Sequence, residues 1–375
     1  MKLGVALLAT VLAWPASAQP LLDFTPEERE RIAAHGPWPP APVRDPANRV
    51  DGRRAAVDFG RRLFFDPALS AGGDISCATC HVPARAFQDG RPVAVGRASG
   101  TRNTPTLLDA AQRRWFGWDG AHDSLWAASL SPLLQSAEMG QRLETLAATV
   151  RREPRLAAGY RSAFGAAPGV DDERVATDLA KALAAYQATL VSPRTPFDAF
   201  RDALQRGDRA AAARYPVAAQ RGLRLFIGEA RCSVCHAGPT FSNGEFADIG
   251  VAFFLPGGVD PGRHGGLQKL LASRMNRLGP HDDAGAADPR AVATRHVTVE
   301  PRHFGEFKVP GLRQLVHTAP YMHDGSLARI EDVVQHYSAL NEERLHADGE
   351  RILRRLDLTP QQAADLAAFL RSLSR

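Results

Sequence analysis

Apolar positions along this chain fall mostly at helical spacing. Val175, Leu179, Leu183, Tyr186 and Leu190 recur in steps of three and four and share one face of a helix. Near the C-terminus, Thr359-Pro360 reads as the start of a last helix, with Ala363, Leu366, Phe369, Leu370 and Leu373 along one stripe. Both stripes read as core packing. Gly60-Arg-Arg-Leu-Phe64 and Gly222-Leu-Arg-Leu-Phe226 each end a further amphipathic helical stretch. The polar, Ala- and Arg-rich run from Ala203 to Pro216 predicts a connection between domains. Pro256 to Pro301 carries Gly, Pro and Asp without a clear period, which predicts a long loop without strands. The pattern as a whole predicts a mainly α fold.

The N-terminus follows a different rule. Lys2 precedes an apolar run from Leu3 to Ala13, and Ala16-Ser-Ala18 follows before Gln19. This layout predicts a secretory signal peptide at residues 1–18, on an apolar run too short to span a bilayer. No later stretch reaches that length, so the expected product is periplasmic with no membrane span. Of 375 residues, 46 are Lys or Arg and 41 are Asp or Glu, giving a formal charge of +5. The two signs are interspersed, which points to an acidic protein partner at most and not to nucleic acid.

The cysteines change the picture. All four lie in two copies of one pentapeptide, Cys77-Ala-Thr-Cys80-His81 and Cys232-Ser-Val-Cys235-His236. In Cys-x-x-Cys-His the thiols bond to haem vinyl groups and the histidine becomes an iron ligand, so each copy reads as a c-type haem attachment site. The alternative, one zinc held by two Cys-x-x-Cys pairs, leaves His81 and His236 unexplained. No cysteine remains for a disulfide, although the expected compartment would permit one.

The surroundings of the two motifs repeat as well. Pro105-Thr-Leu107 is followed by Asp119-Gly120, and Pro310-Gly-Leu312 by Asp324-Gly325, with the same spacing in each copy. A duplicated haem unit is expected, in which Trp118 matches His323 and Glu138 roughly matches Tyr337. The next histidine after His81 is His122, and no methionine occurs between His81 and Met139. The first iron therefore lacks an obvious nearby sixth ligand, and an iron with an open side can take up a small oxidant. The long loop at 256–301 would then cover the second haem.

Six motifs carry a resemblance to a known family. They are Leu63-Phe-Phe-Asp-Pro67, Ser76-Cys-Ala-Thr-Cys-His81, Arg102-Asn-Thr-Pro-Thr106, Trp118-Asp-Gly120, Glu138-Met-Gly140 and Ala319-Pro-Tyr-Met-His-Asp-Gly325. From about Arg54 onward the chain resembles the bacterial di-haem cytochrome c peroxidases, and within them the MauG type. The resemblance implies two cytochrome c-like domains related by internal duplication, with long irregular loops. Residues 19–202 would hold the high-spin, peroxide-reactive haem and residues 203–375 the low-spin haem.

The resemblance also implies roles for single residues. Glu138 would be the distal acid and base toward hydrogen peroxide, though it could instead be a plain charge at a helix start after Pro132. Trp118 would bridge the haems, or be an ordinary core tryptophan. Pro132 keeps the family's spacing, while Ala128 stands where the family has Gln. Tyr337 occupies the place of an axial methionine and would ligate the second iron as MauG's tyrosine does; Met322 or Met275 are the alternatives. A phenolate favours ferric and higher states, whereas a thioether raises the reduction potential. Asn103, Thr318 and Pro320 match a Ca²⁺ site of one side-chain oxygen and two backbone carbonyls, although Asn103 could be a turn residue.

The implied activity is peroxide-driven oxidation of two tryptophans in a precursor of methylamine dehydrogenase, which completes tryptophan tryptophylquinone. The competing readings are a peroxidase fed by a small electron-transfer cytochrome, and a MauG-like enzyme acting on another protein. A non-enzymatic electron carrier would need both irons capped.

Overall fold

In the computed structural model, which describes residues 20–255, 258–285, 287–349 and 352–375, the apolar stripes become helices. The expected signal peptide at 1–18 lies outside the described residues. The chain opens with α1 (Pro26–Ala33), started by Thr25 in a reciprocal capping box with Glu28. In α2 (Arg54–Phe64) the buried residues Ala56, Phe59, Gly60, Leu63 and Phe64 line one face. A single turn, α3 (Cys77–Cys80), carries the first cysteine pair. Then come α4 (Leu125–Leu134), α5 (Leu143–Arg152), α6 (Pro154–Phe164) and α7 (Asp172–Gln187).

Every residue of α7 from Val175 to Gln187 is buried, which makes this helix the post around which α2, α4, α5 and α6 pack. Two of its buried residues are charged, and both are paired. Asp178 accepts from the Tyr160 hydroxyl at 2.6 Å and bonds Arg49. Lys181 donates to Asp283 and to the carbonyl of His281. Buried charges persist only with such partners.

The second half contains α8 (Pro196–Gln205), α9 (Arg209–Ala212), α10 (Val217–Ile227), α11 (Arg263–Ala272), α12 (Pro289–His296), α13 (Ile330–Ser338) and α14 (Pro360–Arg371). Thr359 caps α14 as its sequence predicts, in a box with Gln362. Four two-residue strands complete the described elements: β1 (Phe246–Ala247), β2 (Phe254–Leu255), β3 (Gly258–Val259) and β4 (Phe307–Lys308). β1 pairs antiparallel with β4, and β2 with β3. The fold is mainly α.

There are two main cores, and they do not divide at 202/203. The first gathers Phe59, Leu63, Val150, Leu179 and Leu183. The second gathers Phe226, Phe241, Leu366 and Phe369, but also Phe24 and Ile32 from the N-terminal segment and Phe197 and Phe200 from α8. The amphipathic faces of α1 and α8 are thus buried against the later half. The expected linker at 203–216 belongs to the same core through Ala203, Ala212 and Tyr215.

The region from 256 to 301 departs furthest from expectation. It holds α11, α12 and the short β3, and it turns toward the first half. Arg277, buried, donates to the Asp123 carbonyl and to Asp45, while His281 meets Glu173 at 2.6 Å. Met275 packs on the first core and accepts from the Thr177 hydroxyl. Polar side chains tether this segment, which explains why no apolar period announces it. Further ties between the halves come from Arg102, which forms a fork on Asp260 with both contacts at 2.6 Å and reaches Asp119 at 2.7 Å.

One close approach recurs in both halves. α2 meets α7, and α10 meets α14, at a glycine. A Cβ on Gly60 would lie 1.9 Å from the Ala182 carbonyl oxygen, and one on Gly222 would lie 1.9 Å from that of Asp365. Gly60→Ala and Gly222→Ala should therefore each destabilise the protein by about 1–3 kcal/mol. Denaturant unfolding checks this, with Gly169→Ala as control because a Cβ there meets nothing within 4 Å. Equal midpoints for all three variants would contradict the packing described.

Candidate haem centres

Each Cys-x-x-Cys-His segment folds as a tight turn that places its histidine beside its cysteines. The His81 amide donates to the Cys77 carbonyl at 2.9 Å, and the His236 amide to that of Cys232 at 2.8 Å. The imidazoles then take matching partners. His81 Nδ1 lies 3.0 Å from the Phe87 carbonyl, and His236 Nδ1 lies 3.0 Å from the Phe241 carbonyl. A carbonyl can only accept, so Nδ1 carries the proton and Nε2 is left as the ligating nitrogen. Surrounding protein holds both imidazoles below their usual pKa, in the neutral form an iron requires.

None of the four cysteines is in a disulfide, and no group of three or more metal-binding side chains converges among the described residues. The single four-cysteine zinc site is therefore excluded. A cavity of about 570 Å³ adjoins the second motif, lined by Cys232, Cys235 and His236 and by mostly apolar surface. That is within the range of cofactor cavities, roughly 300–1,000 Å³. Thiols, imidazole nitrogen and cavity all fit a c-type haem.

Glu138 belongs to the first site. It follows α4, whose last turn contains Pro132, so it is not at a helix N-terminus. The Pro132 and Leu133 carbonyls accept from Met139 and Gln141, folding the chain into a turn that presents Glu138. The Glu138 carbonyl accepts from Arg97, and Cys80 Sγ lies 3.7 Å from the Val95 carbonyl, so the loop at 95–97 joins the two. Burial raises the Cys77 and Cys80 pKa values, and the charge of Glu138 adds to the effect, which places that carboxylate near both thiols. Glu138 is reached by solvent, yet protein around it disfavours its charge and holds its carboxyl above the usual range. Met139 is buried in the first core. Ala128 packs half-buried against the cluster around Trp126.

The second cavity gathers several of the predicted residues. Tyr337, carried on α13, lines it together with Met322, His323 and Trp118. Burial pushes the Tyr337 phenol well above its usual value, with Cys232 and Cys235 contributing, so the ring stands close to both thiols. Met275 packs in the first half and does not line this cavity, which removes it as a ligand there. No described residue from 256 to 301 lines the cavity either, so the described part of that segment does not cover the second haem site as expected.

Trp118 stands where the two halves meet. Its indole N–H donates to the Asn103 carbonyl at 2.8 Å, and its own carbonyl accepts from the Lys308 amide. Asn103 precedes Thr104-Pro105, and the Pro105 carbonyl lies beside His81. Asn103, Thr318 and Pro320 all line the same cavity. The Asn103 amide nitrogen donates to the Arg91 carbonyl at 2.8 Å, which turns its Oδ1 elsewhere as a hard oxygen donor.

Sequence reasoning missed other residues. Phe87 and Phe241 matter through backbone carbonyls, and their spacing from the histidines differs by one residue. Lys308, buried and pushed down to about 7 by desolvation, lines the cavity beside Trp115, as does Arg113. Gln88 Nε2 is buried there without a partner. Nothing in the sequence pattern singles these residues out.

Comparison with known proteins places the chain in a family. The profile of the family described as "Di-haem cytochrome c peroxidase" matches residues 54–206. The chain is 35% identical over 319 residues to "Methylamine utilization protein MauG" of Methylorubrum extorquens, covering 84% of this chain and 77% of that protein. It is 34% identical over 346 residues to "Cytochrome-c peroxidase IdrP1" of Denitromonas iodatirespirans, covering 90% and 86%. Among solved structures, a MauG-like protein associated with microbial copper homeostasis superposes with a TM-score of 0.66 at 27% identity, covering 90% of this chain and 95% of that one.

Replacing both cysteines of either motif by serine should remove one covalently attached haem and leave the other. Haem quantification by the pyridine haemochrome assay, together with intact mass, reads this directly. Loss of both haems from either double variant would contradict independent sites.

Proposed function

The chain belongs to the di-haem cytochrome c peroxidase family, and on that premise we propose that it is a periplasmic MauG-type enzyme that completes tryptophan tryptophylquinone in a precursor of methylamine dehydrogenase, using hydrogen peroxide. As a peroxidase-type oxidoreductase with two c-type haems, it has the chemistry this needs. Its identity to a protein named for methylamine utilization supports the reading. The observation that carries it is Tyr337, close to both second-site thiols at a position where a peroxidase fed by a cytochrome would use a thioether.

Cys77, Cys80 and His81 would hold the first haem, and Cys232, Cys235, His236 and Tyr337 the second. A c-type haem, when bound, supplies an iron that takes up peroxide and exchanges electrons. Glu138 moves a proton from one peroxide oxygen to the other as the O–O bond breaks. Its raised carboxyl pKa suits that exchange, because the group can hold the proton nearer neutral pH. Pro132, in the last turn of α4, accepts from the Met139 amide in the turn that aims Glu138. Trp118, between the sites, passes oxidising equivalents from one to the other. Asn103 Oδ1 with the Thr318 and Pro320 carbonyls would hold Ca²⁺ and brace the junction. The matched glycine crossings and matched histidine partners support descent of the two halves from one duplicated unit. The protein substrate docks outside the haem sites, so its electrons travel through the chain.

Export to the periplasm rests on residues 1–18, and among the described residues no helix is long and apolar enough to cross a membrane. The second reading is a peroxidase drawing electrons from a small cytochrome, favoured by the relative that bears that name. A MauG-like enzyme acting on a different protein is the third.

Peroxide added to the holoprotein with precursor dehydrogenase should yield quinone absorbance, while reduced cytochrome c should be oxidised slowly. Rapid cytochrome oxidation without quinone would favour the second reading. Glu138→Gln should slow peroxide reaction by about 10²–10⁴-fold with haem content unchanged. Tyr337→Met should raise the reduction potential of one haem sharply, and an unchanged potential would remove Tyr337 from the iron.

A further inference from the structure

The described residues include four tryptophans, and the cations are distributed unequally over them. Arg313 lies over Trp38 at 3.6 Å from the ring centroid, and Lys181 over Trp126 at 5.5 Å. Trp115 carries two, Arg263 at 4.5 Å and Arg114 at 5.1 Å. Among the described residues, no cation stacks on Trp118. Trp115 and Trp118 line the same cavity, so proximity to the second haem site does not by itself choose between them.

A cation over a neutral indole is mildly favourable, because it meets the negative face of the ring. Once the indole loses an electron, that attraction becomes repulsion between two positive charges. At the distance of Arg263 the unscreened repulsion is worth roughly several hundredfold in the oxidation equilibrium, taking an effective dielectric constant near 20. Nearby carboxylates offset part of this, but none sits directly on Arg263. Its guanidinium, buried, donates to the Gly120 carbonyl at 2.9 Å and more weakly to that of Asp119, and among the described residues it forms no ion pair with a carboxylate. Glu245, Asp119 and Glu306 are the nearest acids, and Glu245 is shared with Arg114 at 3.9 Å. Burial pushes Arg263 down to about 10, which still leaves it charged at neutral pH. Lys308 adds a third nitrogen near Trp115, 3.4 Å from its carbonyl. Trp118 has the opposite surroundings, since its N–H donates to a carbonyl oxygen that stabilises developing positive charge.

We propose that Arg263, with Arg114, guards Trp115 against one-electron oxidation, so that oxidising equivalents in this cavity are confined to Trp118. The inference rests on the peroxide-driven reading above. Hydrogen peroxide takes two electrons and two protons to become two waters, and those electrons leave the protein one at a time. One leaves the Trp118 indole, which retains its N–H proton, hydrogen-bonded to the Asn103 carbonyl, as a radical cation and is later refilled by one electron from the substrate. Trp115, which could lose an electron from the same wall, does not. Arg263 is a positioning residue for charge, acting through Trp115.

The test treats holoprotein with limited peroxide and no electron donor, follows peroxide consumption optically, and maps hydroxylated and ring-opened tryptophans by peptide mass spectrometry. In the unaltered protein, products at Trp118 should exceed those at Trp115 by at least about tenfold. Arg263→Met should raise the Trp115 share by about tenfold or more, and Arg263→Lys should return it toward the original pattern. Arg114→Gln, at an exposed side chain, should raise it several-fold and serves where Arg263→Met does not fold. Equal oxidation of Trp115 and Trp118 in the unaltered protein, or no change in any variant while peroxide is consumed, would overturn the guarding role. Failure to consume peroxide would overturn it too, and would show that the functional reading beneath it had failed first.

Discussion

Both halves of this protein depend on one hydrogen bond, the imidazole Nδ1–H of a haem-motif histidine held by a phenylalanine carbonyl. Phe87 and Phe241 both adopt left-handed backbone conformations, with φ of 59° and 57°, to turn those carbonyls toward His81 and His236. Such values are uncommon outside glycine and cost energy that the surrounding core must supply. The aromatic side chains do so. Phe87 packs edge-on against Phe64 of α2, and Phe241 sits among Phe197, Phe226 and Phe369. The ligand geometry is thus a consequence of core packing, and the tight glycine crossings bring the helices close enough to provide it.

On this common frame the two sites differ. Beside the first thiols stands Glu138, a carboxylate that its surroundings make easier to protonate. Beside the second thiols stands Tyr337, a phenol that its surroundings make harder to ionise, so its anion needs a positive partner such as ferric iron. On the proposed reading, the first site would handle protons at a reacting oxidant and the second would lock a metal with an oxygen donor. Trp118 lies at the junction that Arg102, Asp119 and Asp260 hold together. A junction tied by a buried fork keeps such a contact in register better than apolar packing alone would.

Much of this was legible in the sequence. The cysteine motifs carry their chemistry in their spacing, and α7 and α14 follow from their apolar stripes. The segment from 256 to 301 was not legible, because Arg277, His281 and Asp283 anchor it by polar contacts to Asp123, Glu173 and Lys181, distant in sequence. The placement of α1 and α8 in the second core was equally hidden, since an amphipathic stripe records that a face is buried but not against what. Met275 as a ligand failed for the same reason: its position depends on a segment that crosses to the other half. Apart from Arg114 beside Trp115, the cations over tryptophan rings lie far away in the chain, so no local pattern announces Arg263 over Trp115 or Arg313 over Trp38.

The central claim is that one iron has an open side and its partner is capped by Tyr337. Electron paramagnetic resonance of the ferric holoprotein measures this most directly. The account predicts one high-spin and one low-spin haem in equal amounts. Two low-spin signals, both irons capped, would contradict it.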